Sequence, residues 1–163
     1  MSKGTKPETI LSILGIRDIS DHAAILQKLD GVLDVDTSDS GGRTLLMEAV
    51  IRGDRHLVEI LVNKGASVNL RDVRGWTALH FAAQAYDPVI VKLLLDAGAD
   101  ANAQDDWGNG TLFTAVYNSR GRGEVIKLLL ANGADQNRAN KSGISAHSLA
   151  GSISNYDIAQ FFE

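Results

Sequence analysis

The sequence predicts an all-α solenoid, in which helix-turn-helix units stack in one direction and are joined by short β-hairpin loops. Three observations predict it. The block Gly42-Arg43-Thr44-Leu45-Leu46 returns as Gly75-Trp76-Thr77-Ala78-Leu79, as Gly108-Asn109-Gly110-Thr111-Leu112, and faintly as Gly143-Ile144-Ser145-Ala146-His147, a period of 33 to 35 residues. A second block repeats at an offset: Asn63-Lys64-Gly65-Ala66-Ser67-Val68-Asn69, Asp96-Ala97-Gly98-Ala99-Asp100-Ala101-Asn102, and Ala131-Asn132-Gly133-Ala134-Asp135-Gln136-Asn137. Each unit also carries a run too apolar to face water, such as Val89-Ile90-Val91 with Leu93-Leu94-Leu95. A fixed period of this size marks supersecondary units that cannot bury their apolar faces alone. It directs attention to recognition on a surface rather than chemistry in a cleft.

Residues 1–36 read as a degenerate N-terminal capping helix pair, Pro7 to Leu14 and His22 to Leu29, with Ser20 the expected cap and Gly31 the stop. Three full repeats follow, at about 37–71, 72–104 and 105–139. In the first, Thr44 and Asp54 are the expected N-caps, Leu57, Val58, Ile60, Leu61 and Val62 the core, and Gly65 the stop. Side-chain oxygens at such positions accept from the orphan amides of a helix's first turn. In the second, Asp72-Val73-Arg74-Gly75 is a turn, Thr77 caps a helix from about Ala78 to Ala85, and Asp87-Pro88 opens the next. Proline is preorganised for the first helical position. That second helix is apolar on nearly every side but Lys92, so neighbours must cover it, and Gly98 ends it. In the third, Gly110 stands at the capping position, and Ser119-Arg120-Gly121-Arg122-Gly123 inserts two residues between the helices. Residues 140–163 form a C-terminal capping repeat, with Asn155 at the position of Asp87, Ala159 at that of Val91, and Phe161-Phe162 at that of Leu93-Leu94. Terminal units of a stack differ because one face stays wet.

These residues resemble the ankyrin repeat family, whose pattern runs D-x-x-G-x-T-P-L-H-x-A-A, then an E-V-V-x-L-L-L-like stretch, then G-A-D-V-N-A. Asp72, Gly75, Thr77, Leu79, His80, Ala82 and Ala83 match the first part, and Gly98-Ala99-Asp100 with Asn102-Ala103 the last. The resemblance covers Thr37 to Glu163 well and the first 36 residues poorly. The pattern's proline is replaced by Leu45, Ala78, Thr111 and Ala146, its histidine survives only as His80, and its interhelical Gly-His becomes Gly53-Asp54, Tyr86-Asp87 and the insertion. The resemblance implies a scaffold for protein recognition without naming the partner.

Composition narrows the function classes. A formal net charge of −4 argues against a nucleic-acid footprint. With no cysteine, neither a disulfide framework nor a thiolate metal site is possible. No window approaches the apolar length of a membrane span and the first residues lack a signal-peptide pattern, so the expected location is cytoplasmic. His22, His56, His80 and His147 lie in different units without metal-ligand spacing, and no metal or cofactor is expected. In the family His80 occupies a structural position, so a core or turn hydrogen-bonding role is expected of it. Asp34 to Leu45 resembles a calcium loop superficially, but Asp39 stands where glycine is needed and Leu45 where a bidentate glutamate belongs. No serine–histidine–acid or paired-carboxylate arrangement stands out, and an enzyme is not expected.

In such a stack the hairpin tips and the outward face of each first helix line a continuous concave surface. The first repeat supplies Ser40, Gly41, Arg43, Ile51 and Arg52 to it, the second Val73, Arg74, Trp76, Gln84 and Ala85, the third Asp106, Trp107, Asn109, Tyr117 and Asn118. Both tryptophans, one of three tyrosines and three arginines fall in this set, and these residue types are enriched at binding hot spots. The expected partner-binding residues are Arg43, Arg52, Arg74, Trp76, Gln84, Trp107, Asn109, Tyr117 and Asn118. Against this stands the alternative that Trp76 and Trp107 fold down on the neighbouring hairpin and merely shield it. The leading functional reading is a non-enzymatic protein-binding module, monomeric when unbound. A narrower one is an inhibitor or immunity protein that neutralises a toxic enzyme. Its grounds are a short chain made of repeats without an effector domain, and an acidic balance suited to a basic partner. The least favoured is an enzyme or small-ligand binder using Asp105-Asp106-Trp107.

Overall fold

The computed structural model of the chain describes residues 9–31 and 34–162. The helices among them are α1 (Ile10–Ile13), α2 (His22–Gly31), α3 (Leu45–Arg52), α4 (Arg55–Asn63), α5 (Ala78–Ala85), α6 (Pro88–Asp96), α7 (Thr111–Asn118), α8 (Glu124–Ala131) and α9 (Ala146–Ser152), followed by a 3-10 turn at Ala159–Phe162. First helices pack in one layer, α3 on α5 on α7 on α9, and second helices in another, α4 on α6 on α8. None of the described helices is long and apolar enough to cross a membrane.

The apolar period decides this arrangement. Leu57, Val58 and Leu61 of α4 recur as Ile90, Val91 and Leu94 of α6 and as Val125, Ile126 and Leu129 of α8, and all nine are fully buried. Ile158 carries the pattern into the last unit and is fully buried too. In the first-helix layer, Ala49, Ala82, Ala115 and Ala150 occupy one repeating position in the core, where a small side chain lets neighbouring helices approach.

Two polar devices set the register. In each hairpin one Asx residue clasps its own turn: Oδ1 of Asp39 accepts from the Gly41 and Arg43 amides at 2.8 and 3.0 Å. Asp72 does so from Arg74 and Trp76 at 2.8 and 2.9 Å, Asp105 from Trp107 and Asn109 at 2.9 and 2.8 Å, and Asn140 from Ser142 and Ile144 at 2.9 and 3.0 Å. Successive hairpins are then laced by single backbone bonds, from Val73 to Gly41, Asp106 to Arg74, and Lys141 to Trp107, each 3.0 Å. The glycine after the clasp is left-handed and tightly approached: a Cβ on Gly42 would lie 3.1 Å from Asp72 Cα, and one on Gly108 3.0 Å from the Lys141 nitrogen. The second device explains the recurring asparagine. Asn69 donates to Gly98 O and accepts from the Asp100 amide, at 3.0 and 2.8 Å. Asn102 repeats this with Gly133 and Asp135 at 2.8 and 2.7 Å.

The expected caps at Thr44, Asp54, Asp87 and Gly110 are the N-caps observed, and α5 has the expected bounds. Three differences appear. The cap of α2 is Asp21 rather than Ser20, because the Asp21 carboxylate accepts the Ala24 amide at 3.0 Å while the Ser20 amide is bound to Asp18. The first helix of the N-terminal pair is a single turn capped by Thr9, and the expected start at Pro7 lies outside the described residues. The last unit's second helix is the 3-10 turn.

Tyr86 takes the left-handed end of α5 (φ 55°), where the first repeat has Gly53. It is nonetheless buried. Its hydroxyl donates to the Arg122 carbonyl, and the Arg122 guanidinium lies 4.1 Å above its ring. Burial pushes its pKa up to about 12. The inserted loop is pinned from the other side as well: a Cβ on Gly121 would meet the Tyr156 ring at 2.8 Å, and one on Gly123 would overlap the Phe161 ring. Glycine at Tyr86 would relieve a left-handed conformation costing about 1–2 kcal/mol, but deleting a buried aromatic costs about 3–5 kcal/mol. Tyr86→Gly is therefore expected to destabilise by about 2 kcal/mol in urea unfolding, and unchanged or raised stability would contradict this packing.

Candidate recognition surface

The clasped hairpins hold the backbone of each tip. Asp72 is buried, and besides its two amide bonds it receives the Arg74 guanidinium at 3.1 and 3.2 Å. Arg74 in turn lies 4.8 Å over the Trp76 ring. Trp76 leans onto α5, with ring centroids 5.7 Å from His80 and 5.0 Å from Phe81. Its indole N–H donates to Asp105 Oδ2 at 3.2 Å. Trp76 is thus half-buried and follows the folded-down alternative, because a buried carboxylate one hairpin away captures its only donor. Trp107 does not: it is 56% exposed.

Asn109, at the position of Trp76 one unit on, also donates to Asp105, at 3.3 Å, and accepts from Asn140 Nδ2 at 2.8 Å. With two backbone amides, an indole and a carboxamide on it, the Asp105 carboxylate serves as a structural node between repeats two and three. Tyr117, on the outer side of α7, is 72% exposed. Asn118 beside it is turned back to the Thr114 carbonyl at 2.8 Å.

Five of the nine expected residues come together. Trp76, Gln84, Asn109, Tyr117 and Asn118, with Asp105, Phe113 and Thr114, line a hollow of about 240 Å³. Arg43 and Arg74 border a different depression of about 420 Å³, shared with Thr9, Asp39, Ser40, Gly41, Asp72 and Val73. Arg52 lines neither and pairs with Glu48 on its own helix at 2.8 Å. Trp107 also lines neither. Sequence reasoning missed Phe81, which takes the Arg43 and Arg74 guanidinia at 5.6 and 5.7 Å from its ring centre, and Phe113, which floors the hollow. Phe113 stands at the repeat position of His80, so alignment of the units alone could have found it.

His80 is fully buried on α5. Its Nδ1 accepts from the Thr77 amide at 3.2 Å, which leaves the proton on Nε2, facing the Asn109 carbonyl at 3.3 Å. The neutral imidazole therefore closes the start of its own helix and bridges to the next hairpin. Burial holds its pKa below the usual histidine range, against the opposing pull of that carbonyl and of Asp105.

A family model described as ankyrin repeats, in three copies, matches residues 16–105, 46–140 and 84–162. The chain belongs to the ankyrin repeat family. Among its relatives, Ankyrin repeat domain-containing protein 63 of Mus musculus is 35% identical over 136 residues, covering 78% of this chain and 34% of the relative. Zygote-specific protein 3 of Chlamydomonas reinhardtii is 36% identical over 153 residues, 94% of this chain and 32% of the relative. Protein phosphatase 1 regulatory subunit 27 of Mus musculus is 39% identical over 75 residues, 46% of this chain and 49% of the relative. The chain thus spans about a third of the length of the first two. In ankyrin terms, Thr77-Ala78-Leu79-His80 is the unit closest to the family pattern, and its histidine does the joining described above.

Because folded His80 resists a proton that the unfolded chain accepts, its contribution is fully present above the ordinary histidine pKa of about 6.5 and declines as pH falls below it. The melting temperature is expected to fall on acidification from about pH 7.5 to about pH 5.5. The fall should be shallower in His80→Gln, which begins lower. Equal slopes in the two proteins would show that His80 does not carry the effect.

Proposed function

We propose that this ankyrin stack is a non-enzymatic protein-interaction module, working in the cytoplasm, that grips a partner protein on its concave hairpin and first-helix surface. The observation that carries the reading is the aromatic hollow between repeats two and three, with Tyr117 projecting beside it and Trp107 exposed on the adjoining hairpin. Large apolar side chains left in water on one face mark an interaction site, and tyrosine and tryptophan are the types that dominate binding energies. Trp76 and Phe113 supply the floor, and Gln84, Asn109 and Asn118 a polar rim. One relative is by its name a regulatory subunit of a protein phosphatase, which agrees with a role exerted through a bound protein.

The narrower inhibitor reading rests on the net charge of −4 and a basic partner. The hairpins and first helices carry both signs, with Arg43, Arg52, Arg74 and Lys141 beside Glu48, Asp72 and Asp106. Affinity capture from native cells, repeated with Trp107→Ala and Tyr117→Ala, tests the main reading. Each substitution is expected to cost about 2 kcal/mol, roughly thirtyfold in affinity. A folded double variant that captures the same partner undiminished would remove the surface from consideration.

A further inference from the structure

A second hollow adjoins the first, and Tyr117 lines both. It measures about 220 Å³ and is otherwise lined by Val116, Ser119, Arg120, Leu149, Ile153 and Tyr156. Nothing in the packing of the stack requires it. The C-terminal unit reaches the inserted loop through Tyr156 on Gly121 and Phe161 on Gly123, yet leaves this space open between them.

Three observations give the hollow a chemical preference. Ser119, only 1% exposed, has a buried hydroxyl without a hydrogen-bond partner. Such a group is destabilising unless something completes it. Arg120 is held in the left-handed region at φ 50°, where glycine would sit without strain. Strained residues of this kind persist where the surroundings fix them, and they concentrate at ligand sites. Arg120 lines the hollow, and its guanidinium pairs with no carboxylate among the described residues. Finally, of the two rings that border the hollow, Tyr117 is 72% exposed and Tyr156 47%.

Arg74 does not line the first hollow: it borders the depression shared with Arg43, and its guanidinium is already paired with Asp72. Two hollows separated by one projecting ring, with Arg120 at the far one, fit an extended chain better than a compact molecule. The overall charge of −4 does not oppose an acidic group at Arg120. At physiological ionic strength charges beyond about 8 Å are screened, so the local arginine decides.

We infer that the two hollows take an extended acidic segment of a partner protein, with one apolar side chain in each, the backbone crossing Tyr117 and completing the Ser119 hydroxyl, and a carboxylate on Arg120. This rests on the protein-binding reading above and specifies the chemistry of what is bound. It is tested by panning a displayed library of short random peptides against the intact chain and measuring the affinity of the enriched sequences by fluorescence polarisation. The expected sequences carry two separated apolar residues and an excess of aspartate and glutamate. Tyr117→Ala should weaken them about thirtyfold. Arg120→Gly should weaken them about tenfold while the melting temperature holds or rises, a combination that a purely structural arginine would not give. No enrichment, enrichment of basic sequences, or acidic sequences indifferent to both substitutions would overturn the inference. Basic sequences that still depend on Tyr117 would overturn the acidic chemistry alone and leave the binding module standing. A native partner indifferent to Trp107 and Tyr117 would remove both.

Discussion

Among the second helices of this stack α6 is apolar around most of its circumference and α4 along one face, and one helix pair has too little surface to cover them. Ile90, Val91 and Leu94 of α6 reach complete burial because α4 lies on one side and α8 on the other. Fully burying a side chain of that size is worth about 1.5–3 kcal/mol, whereas a backbone hydrogen bond nets about 0.5–1.5 kcal/mol. Packing therefore drives the stacking. The hairpin lacing and the asparagine links contribute less energy, but they are directional, and they select one register among the many that oily contact alone would permit.

The register is what makes a recognition surface. Because an Asx side chain holds the turn in every hairpin from within, the remaining tip positions are released from structural duty and can carry Arg74, Trp107 or Lys141 without disturbing the frame. Asp105 shows how frame and surface meet. Its carboxylate holds its own turn and also receives the Trp76 indole from the unit before. It thereby lays an aromatic floor under the hollow while Tyr117 stands up beside it. The inserted loop adds a second kind of surface. It breaks the period, is held by Tyr86 behind and Tyr156 ahead, and leaves an orphan hydroxyl and a strained arginine at an open space.

Much of the fold was legible because the period repeats local chemistry. Thr44, Asp54 and Asp87 announce helix starts by their side-chain oxygens, and the apolar runs announce which helices must be covered. Legibility failed where a neighbour in space, rather than in sequence, decides. Ser20 and Asp21 are adjacent and both good caps, and the choice between them depends on which amide each carboxylate or hydroxyl reaches. The burial of Trp76 depends on Asp105, twenty-nine residues away, and the same residue type at Trp107 meets no such acceptor among the described residues. The polar links made by Asn69 and Asn102 were visible as a repeated letter, but their purpose, joining one unit to the next, is a property of the stack. The hollow beside Ser119 could not be read from sequence, since it is formed by the meeting of an insertion with an end unit.

Native-state hydrogen exchange measures most directly whether neighbours on both sides stabilise each unit. In a one-dimensional stack, stability is a sum of unit and nearest-neighbour terms, and local opening follows the number of covered faces. Protection should peak in α5 and α6 and decline through α3 and α4 on one side and α9 on the other. Uniform protection from α3 to α9, lost all at once, would instead describe a single undivided core and would contradict this account.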